Sequence, residues 1–249
     1  MNWLLLRGLG REQRHWRDFP SAFSASVGEG RVHLLDVAGT GTEHRSLPLP
    51  SIQWLARDVA VRLLSLPTNG DGRWSLLGLS LGGMLCLELC RLLPDKVRQA
   101  VIINASSRLT PARARLRLGA LPQLLQALSL RDAPRREGVL LALTSSLPPA
   151  ERARYAESAA RFASDAPVRG VALASQLLAA ARFAPPEPES VRARLLFIAS
   201  RNDALVSPVC TRTLAWLYQA TYEEHPAAGH DLPLDDPYWL CERVTRFGA

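Results

Sequence analysis

The sequence predicts an α/β fold: a mostly parallel sheet of about six strands, with helices on both faces. Three observations predict it. Short apolar runs alternate with stretches of helical period, most of those runs are apolar on both faces, and one long helical segment interrupts the rhythm. The runs are "NWLLLRG" (2–8), "RVHLLDV" (31–37), "WSLLGL" (74–79), "QAVIIN" (99–104), "RLLFIAS" (194–200) and "ATYEEHP" (220–226). Strands apolar on both faces are those covered on two sides, as in a parallel sheet. Between them, "IQWLARDVAVRLLSL" (52–66) places apolar residues at i, i+3, i+4 and i+7, the stripe of an amphipathic helix. "LGGMLCLELCRLL" follows a serine and stops before Pro94, and Ser207-Pro208 supplies a cap and a first helical residue for 208–219. Such alternation implies right-handed crossovers between parallel strands.

Residues 106–190 break the pattern. "LPQLLQAL" (121–128), "GVLLALTSSL" (138–147) and "VALASQLLAAARF" (171–183) all have helical period, and the segment ends in the stiff connector "APPEPES" (184–190). The expectation is a helical cap, 106–190, inserted after the strand 99–104 into a core made of 1–105 and 191–249. The chain carries a net charge of +7, and 29 of its 30 basic residues are arginine. Fourteen arginines against seven acids lie between Arg108 and Arg194, so the whole excess falls on this middle segment, most of it on the cap. A basic cap suits docking of an anionic carrier such as acyl carrier protein or coenzyme A. Nucleic-acid binding is not expected, because no recognition motif accompanies the charge.

A hydrophobic content of 47% and a charged content of 21% exclude a disordered chain. The apolar run before Arg7 is too short for a signal peptide, and no stretch of about 18 apolar residues offers a membrane span. Cys86, Cys90, Cys210 and Cys241 lack metal-type spacing, and Cys86 and Cys90 fall four apart on an apolar helix. Buried thiols of this kind suit a reducing compartment, so a cytoplasmic location is expected.

Gly78-Leu79-Ser80-Leu81-Gly82 is a G-x-S-x-G between a strand and a helix. A nucleophile on so sharp a turn has a strained backbone, and its neighbours at −2 and +2 must be small for strand and helix to approach. The turn aims the Leu81 amide beside the hydroxyl, where it can hold an oxyanion. A serine hydroxyl needs a base. His230, in the loop "AAGHDLPLDDP" after the last strand, is the best placed of five histidines. His33 and His225 read as structural, whereas His15 and His44 lie in loops near strand ends and stay as alternatives. Asp203, at the C-terminal end of the strand 194–200, is where an orienting carboxylate belongs in such a sheet. The chain order Ser80, Asp203, His230 matches one of the known triad orders.

On these residues the chain resembles the α/β-hydrolase superfamily over nearly its full length. "GLSLGG" and "NASS" (104–107) are similar to the BioH family of carboxylesterases, and the general plan is similar to MenH. "INASSRL", "LLAAARF" and "AGHDLPLDDP" resemble uncharacterised proteobacterial α/β-hydrolases. The resemblance implies Ser80 as nucleophile, His230 as general base and acid, Asp203 as its orienter, and the amides of Leu81 and Leu9 as oxyanion donors. It implies cleavage of a small-molecule acyl ester or thioester without a cofactor or metal. MenH-like elimination by the same triad is the alternative, and a non-catalytic ligand-binding role a third. The chain departs from the family in two places. Arg7-Gly8-Leu9-Gly10 stands where H-G-x-G is usual, and "LDVAGTGTEHRS" (35–46) keeps Asp36, Gly39 and Gly41 but no proline.

Overall fold

The structure, a computed structural model, describes residues 1–28 and 31–248. Six strands form one sheet: β1 (Asn2–Leu6), β2 (Arg31–Leu34), β3 (Trp74–Leu79), β4 (Val97–Ile103), β5 (Arg194–Ser200) and β6 (Thr221–His225). Their order is β2-β1-β3-β4-β5-β6, and every neighbouring pair is parallel. β3 and β5 match their apolar runs, β1, β2 and β6 are shorter by two or three residues, and β4 begins two residues earlier and ends one earlier. The core helices are α1 (Phe19–Ser26), α2 (Ile52–Leu64) and α3 (Leu81–Leu92). Between β4 and β5 lie only helical elements, chiefly α4 (Ala112–Arg115), α5 (Leu121–Ser129), α6 (Ala133–Thr144), α7 (Pro149–Asp165) and α8 (Gly170–Arg182). After β5 come α9 (Pro208–Leu217), α10 (Leu232–Asp235) and α11 (Pro237–Gly248).

The interior strand β1 shows why this chain forms three layers. Leu4 and Leu6 pack in one cluster with Leu55, Val59 and Leu63 of α2 and Leu85 and Leu89 of α3. The alternate residues Trp3 and Leu5 pack in the other, with Phe19 and Phe23 of α1 and Leu240 and Val244 of α11. Successive side chains of a strand point to opposite faces, so a strand buried on both must be apolar throughout. Each such leucine contributes roughly 1.5–3 kcal/mol on burial. Helix α2 begins where Ser51 accepts the Trp54 amide at 3.3 Å, and that capping bond satisfies one of the free donors of the first turn. Ser207 does not act in this way. Helix α9 begins at Pro208 as its sequence predicts, yet the Ser207 hydroxyl makes no capping bond. Its amide donates instead to the Ala114 carbonyl at 2.8 Å, tying α9 to α4.

The helices between β4 and β5 pack on each other, α5 on α6 and α6 on α7, and then onto the core through polar contacts. Gln176 on α8 donates to the Ala38 carbonyl at 2.9 Å and accepts the Gly10 amide at 3.0 Å. Ser175 donates to the Pro48 carbonyl at 2.7 Å. Arg115 donates to the carbonyls of Ala180 and Ala181 at 2.5 and 2.7 Å, so part of the arginine excess is spent inside the fold. No helix among the described residues is long and apolar enough to cross a membrane.

The chain passes from β1 outward to β2 and then back across β1 to β3. The chain after β1 and the chain after β3 therefore lead to opposite faces, and the switch point of an open α/β sheet is where ligands bind, at its C-terminal edge. Phe183, fully buried just past α8, anchors the helical segment into the α2–α3 side of the core. Phe183→Ala should lower the unfolding free energy by about 3–5 kcal/mol, as read from urea denaturation.

Candidate active site

Ser80 sits at the corner between β3 and α3 with φ 58° and ψ −117°. Left-handed φ of this kind in a residue with a Cβ costs about 1–3 kcal/mol and must be imposed by its surroundings. The surroundings are two glycines. A Cβ on Gly78 would lie 2.3 Å from the Gly82 carbonyl oxygen, and one on Gly82 would lie 2.1 Å from the Leu6 carbonyl oxygen. Only hydrogen fits at either place, so helix, strand β3 and strand β1 close on one point and push Ser80 outward. The Ser80 amide stays in the sheet, donating to the Ile103 carbonyl at 2.8 Å. Its hydroxyl faces the loop after β1: a Cβ on Gly8 would lie 3.8 Å from Ser80 Oγ. Among the described residues neither the Leu9 nor the Leu81 amide donates a hydrogen bond.

Asp203 follows β5 and is fully buried. Its Oδ1 accepts the amides of Leu205 and Val206, both at 2.8 Å, which fixes the carboxylate plane. Its Oδ2 is bonded to Nδ1 of His230 at 2.7 Å. With Nδ1 engaged, Nε2 is the nitrogen free for proton transfer. Burial works against the imidazolium of His230, but the charge and hydrogen bond of Asp203 outweigh it and Asp231 adds to them. Arg7 opposes, and the result is a histidine that titrates above its ordinary value. Its backbone is held by Asn104, which donates from Nδ2 to the His230 carbonyl at 2.8 Å. Asn104 lies just past β4 with φ 48° and also accepts the Ser200 amide at 2.8 Å. The Ser80 hydroxyl itself makes no hydrogen bond to His230 among the described residues. Such bonds are often long before substrate closes the site.

The other histidines have separate uses. His225 accepts the Ala227 and Ala228 amides at Nδ1 and approaches Asp236 at 3.2 Å, shaping the turn toward His230. His33 packs edge-on against Trp74, and His44 bonds the Gly41 carbonyl. His15 receives the Glu12 amide and lies beside Arg11. Burial, then the charges of Arg11 and Arg7, pushes it down to about 2, so it stays neutral. The two loop histidines left open by the sequence thus have no carboxylate partner among the described residues.

The loops in front of Ser80 are organised by acids. Asp36 accepts the Gln13 amide at 2.7 Å and the Thr42 amide at 2.9 Å, joining the loops after β1 and β2. A Cβ on Gly41 would lie 2.1 Å from Asp36 Oδ2, which explains that glycine. Asp235 plays the same part on the histidine side, accepting from Ser145, Ser146 and the Gly229 amide at 2.5–2.9 Å. Arg117 donates to the Asp203 carbonyl at 2.9 Å. Sequence reading missed Asn104, Arg117 and Asp235 as site-forming residues. Only Asn104 carried a signal, a polar residue closing a buried strand.

Gly82→Ala should remove the corner: the extra methyl meets backbone rather than a flexible side chain. Loss of most Ser80 reactivity, with a lowered melting temperature, is the expected outcome of labelling and calorimetry. His15 gives a second test. Unfolded, it takes a proton near 6.5, whereas folded it refuses one until about 2. Stability therefore falls as pH drops below about 6.5, by up to about 1.4 kcal/mol per unit for one proton. His15→Gln should show a smaller loss of unfolding free energy between pH 7 and pH 5 than the parent chain.

The profile of the alpha/beta hydrolase family matches residues 3–243. A protein of Pseudomonas savastanoi pv. phaseolicola, provisionally named the carbamate hydrolase RutD, is 34% identical over 113 residues, 45% of this chain and 41% of that one. The match thus spans about two fifths of that curated relative. Among solved structures, BpoC of Mycobacterium tuberculosis, provisionally named a non-heme bromoperoxidase, superposes with a TM-score of 0.76 at 21% identity. That alignment covers 99% of this chain and 91% of the other. The enol-lactonase of Burkholderia xenovorans gives 0.72 at 21% identity, covering 99% and 90%. At such identities these two likenesses speak for the fold alone. With a profile match over nearly its whole length, the chain belongs to the alpha/beta hydrolase family.

Proposed function

We propose that the protein is a serine hydrolase that cleaves a carboxylic ester or thioester of a small to medium acyl group through an acyl-serine intermediate. One observation carries this reading: the 2.7 Å bond between buried Asp203 and His230, set at the same sheet edge as the strained Ser80. Nε2 of His230 takes the Ser80 proton as Oγ attacks the acyl carbonyl. The amides of Leu81 and Leu9 receive the oxyanion, each such donor being worth about 10²–10³ in rate. The imidazolium then gives its proton to the departing alkoxide or thiolate, leaving acyl-Ser80. Water enters, loses a proton to His230 and attacks the acyl carbon, and collapse of that adduct frees the acid and restores the serine hydroxyl.

A carbamate is the second reading, supported by the 34% identity to a protein named for that substrate. It calls for the same attack at a carbonyl, with a different leaving group. An anionic carrier on the basic helices remains part of the proposal, supported by the exposed Arg108, Arg113, Arg131 and Arg135.

Ser80→Ala should abolish labelling by a fluorophosphonate probe; undiminished labelling would remove Ser80 from the chemistry. Asp203→Asn should lower kcat on p-nitrophenyl esters by about 10³–10⁴-fold. A series of p-nitrophenyl esters, acyl-coenzyme A thioesters and simple carbamates ranks the substrate classes. If a carrier docks by charge, kcat/KM for the coenzyme A substrates should fall with added salt while that for neutral esters holds.

A further inference from the structure

Arg7, which stands where the family usually has histidine, follows the last residue of β1 and is 4% exposed. Its Nη1 and Nη2 donate to Oδ1 and Oδ2 of Asp231 at 3.0 and 2.6 Å, a two-pronged fork. Asp231 directly follows His230 and is 8% exposed. The guanidinium also lies 4.7 Å over the ring of Trp16. A fork of this kind fixes distance and angle together, which a single ion pair does not. It joins the loop that presents the Leu9 amide to the loop that presents His230, over 224 residues of sequence. The Asp231 amide donates in turn to the Thr144 carbonyl at 2.7 Å, so the end of α6 is tied to the same point.

We propose that Arg7 and Asp231 form a positioning clamp that holds the loop after β1 and the histidine loop in register. The proposal rests on the Ser80, Asp203 and His230 reading above. The charged groups around His230 are Asp203 after β5, Asp231 on its own loop and Arg7 after β1. Packed nearby, β4 contributes the neutral Asn104 and the end of α6 contributes Thr144 and Ser145, while Asp235 of α10 is engaged by Ser145, Ser146 and Gly229. Asp231 raises the proton affinity of His230 and Arg7 lowers it. Removing either one leaves the other uncompensated in a buried place, and the two removals act in opposite directions. Opposite movement reports the two charges at His230, and a lowered plateau with an unmoved limb reports the positioning.

The test is the rate of fluorophosphonate labelling of Ser80 in the full chain as a function of pH. Asp231→Asn should move the acid limb to lower pH and Arg7→Met should move it to higher pH, each by roughly half a unit or more. The double variant Arg7→Met/Asp231→Asn should return the limb toward its parental place. All three should label more slowly at the plateau, by about 10-fold or more, because loop register is lost. Arg7→Lys keeps the charge without the fork, so it should leave the limb in place and lower the plateau. Should Arg7→Met fail to fold, the contrast between Arg7→Lys and Asp231→Asn decides alone. Limbs that do not move, or that move the same way, overturn the clamp while leaving Ser80 as the nucleophile. A parent chain that never labels overturns the hydrolase reading and the clamp with it.

Discussion

Everything at the candidate site depends on how closely α3 starts against β1. The Gly82 position lies so near the Leu6 carbonyl that a methyl group would fall 2.1 Å from its oxygen. That approach leaves Ser80 no ordinary backbone conformation, and the sheet bond from its amide to Ile103 prevents relaxation. The strain is affordable because the strands beneath it are buried in all but Arg98: β1, β3 and β4 together carry leucine, isoleucine and valine on both faces. A rigid, dry platform can impose a costly φ on one residue where a loop alone would relax.

Around that fixed point, each strand end supplies one part. β1 leads to Arg7, Gly8 and Leu9, β3 to Ser80, β4 to Asn104, β5 to Asp203 and β6 to the loop with His230. Parallel register puts these ends at one edge, with Leu6 level with Gly78 and Ile103 level with both Leu79 and Ile198. Polar groups gathered at such an edge must satisfy one another or stay costly, since water is largely excluded. Asp203 does so with two amides and an imidazole, and Asn104 with Ser200 and the His230 carbonyl.

Arginine provides the links from this edge to the helices above it. Arg11, Arg14 and Arg17 reach Glu137, Asp165 and Ser158 respectively, the first on α6 and the others on α7. Arg14 and Arg17 also lie over the ring of Phe162. Lysine would not substitute well, because planar guanidinium forks bond carboxylate and carbonyl while stacking on an aromatic face. The arginine bias of the sequence is therefore partly architecture. Arg115 and Arg117 show the same use within the helical segment itself.

Much of this was legible beforehand. The apolar runs gave all six strands, and G-x-S-x-G with Asp203 and His230 pointed to one sheet edge, since strand ends in a parallel sheet are topologically fixed. Less regular elements escaped. Helix α7 buries little but Ala156, Ala159 and Ala160, too weak a stripe for periodicity to single out. Ser207 looked like a cap by residue type, but a hydroxyl's partner depends on what packs beside it. By itself the sequence determined the layers, the order of strands along the chain and which three polar residues stand just past strand ends, because these follow from local pattern. Only the tertiary structure decided which histidine meets Asp203, and that Arg7 meets Asp231, because those contacts span loops whose meeting no local rule encodes.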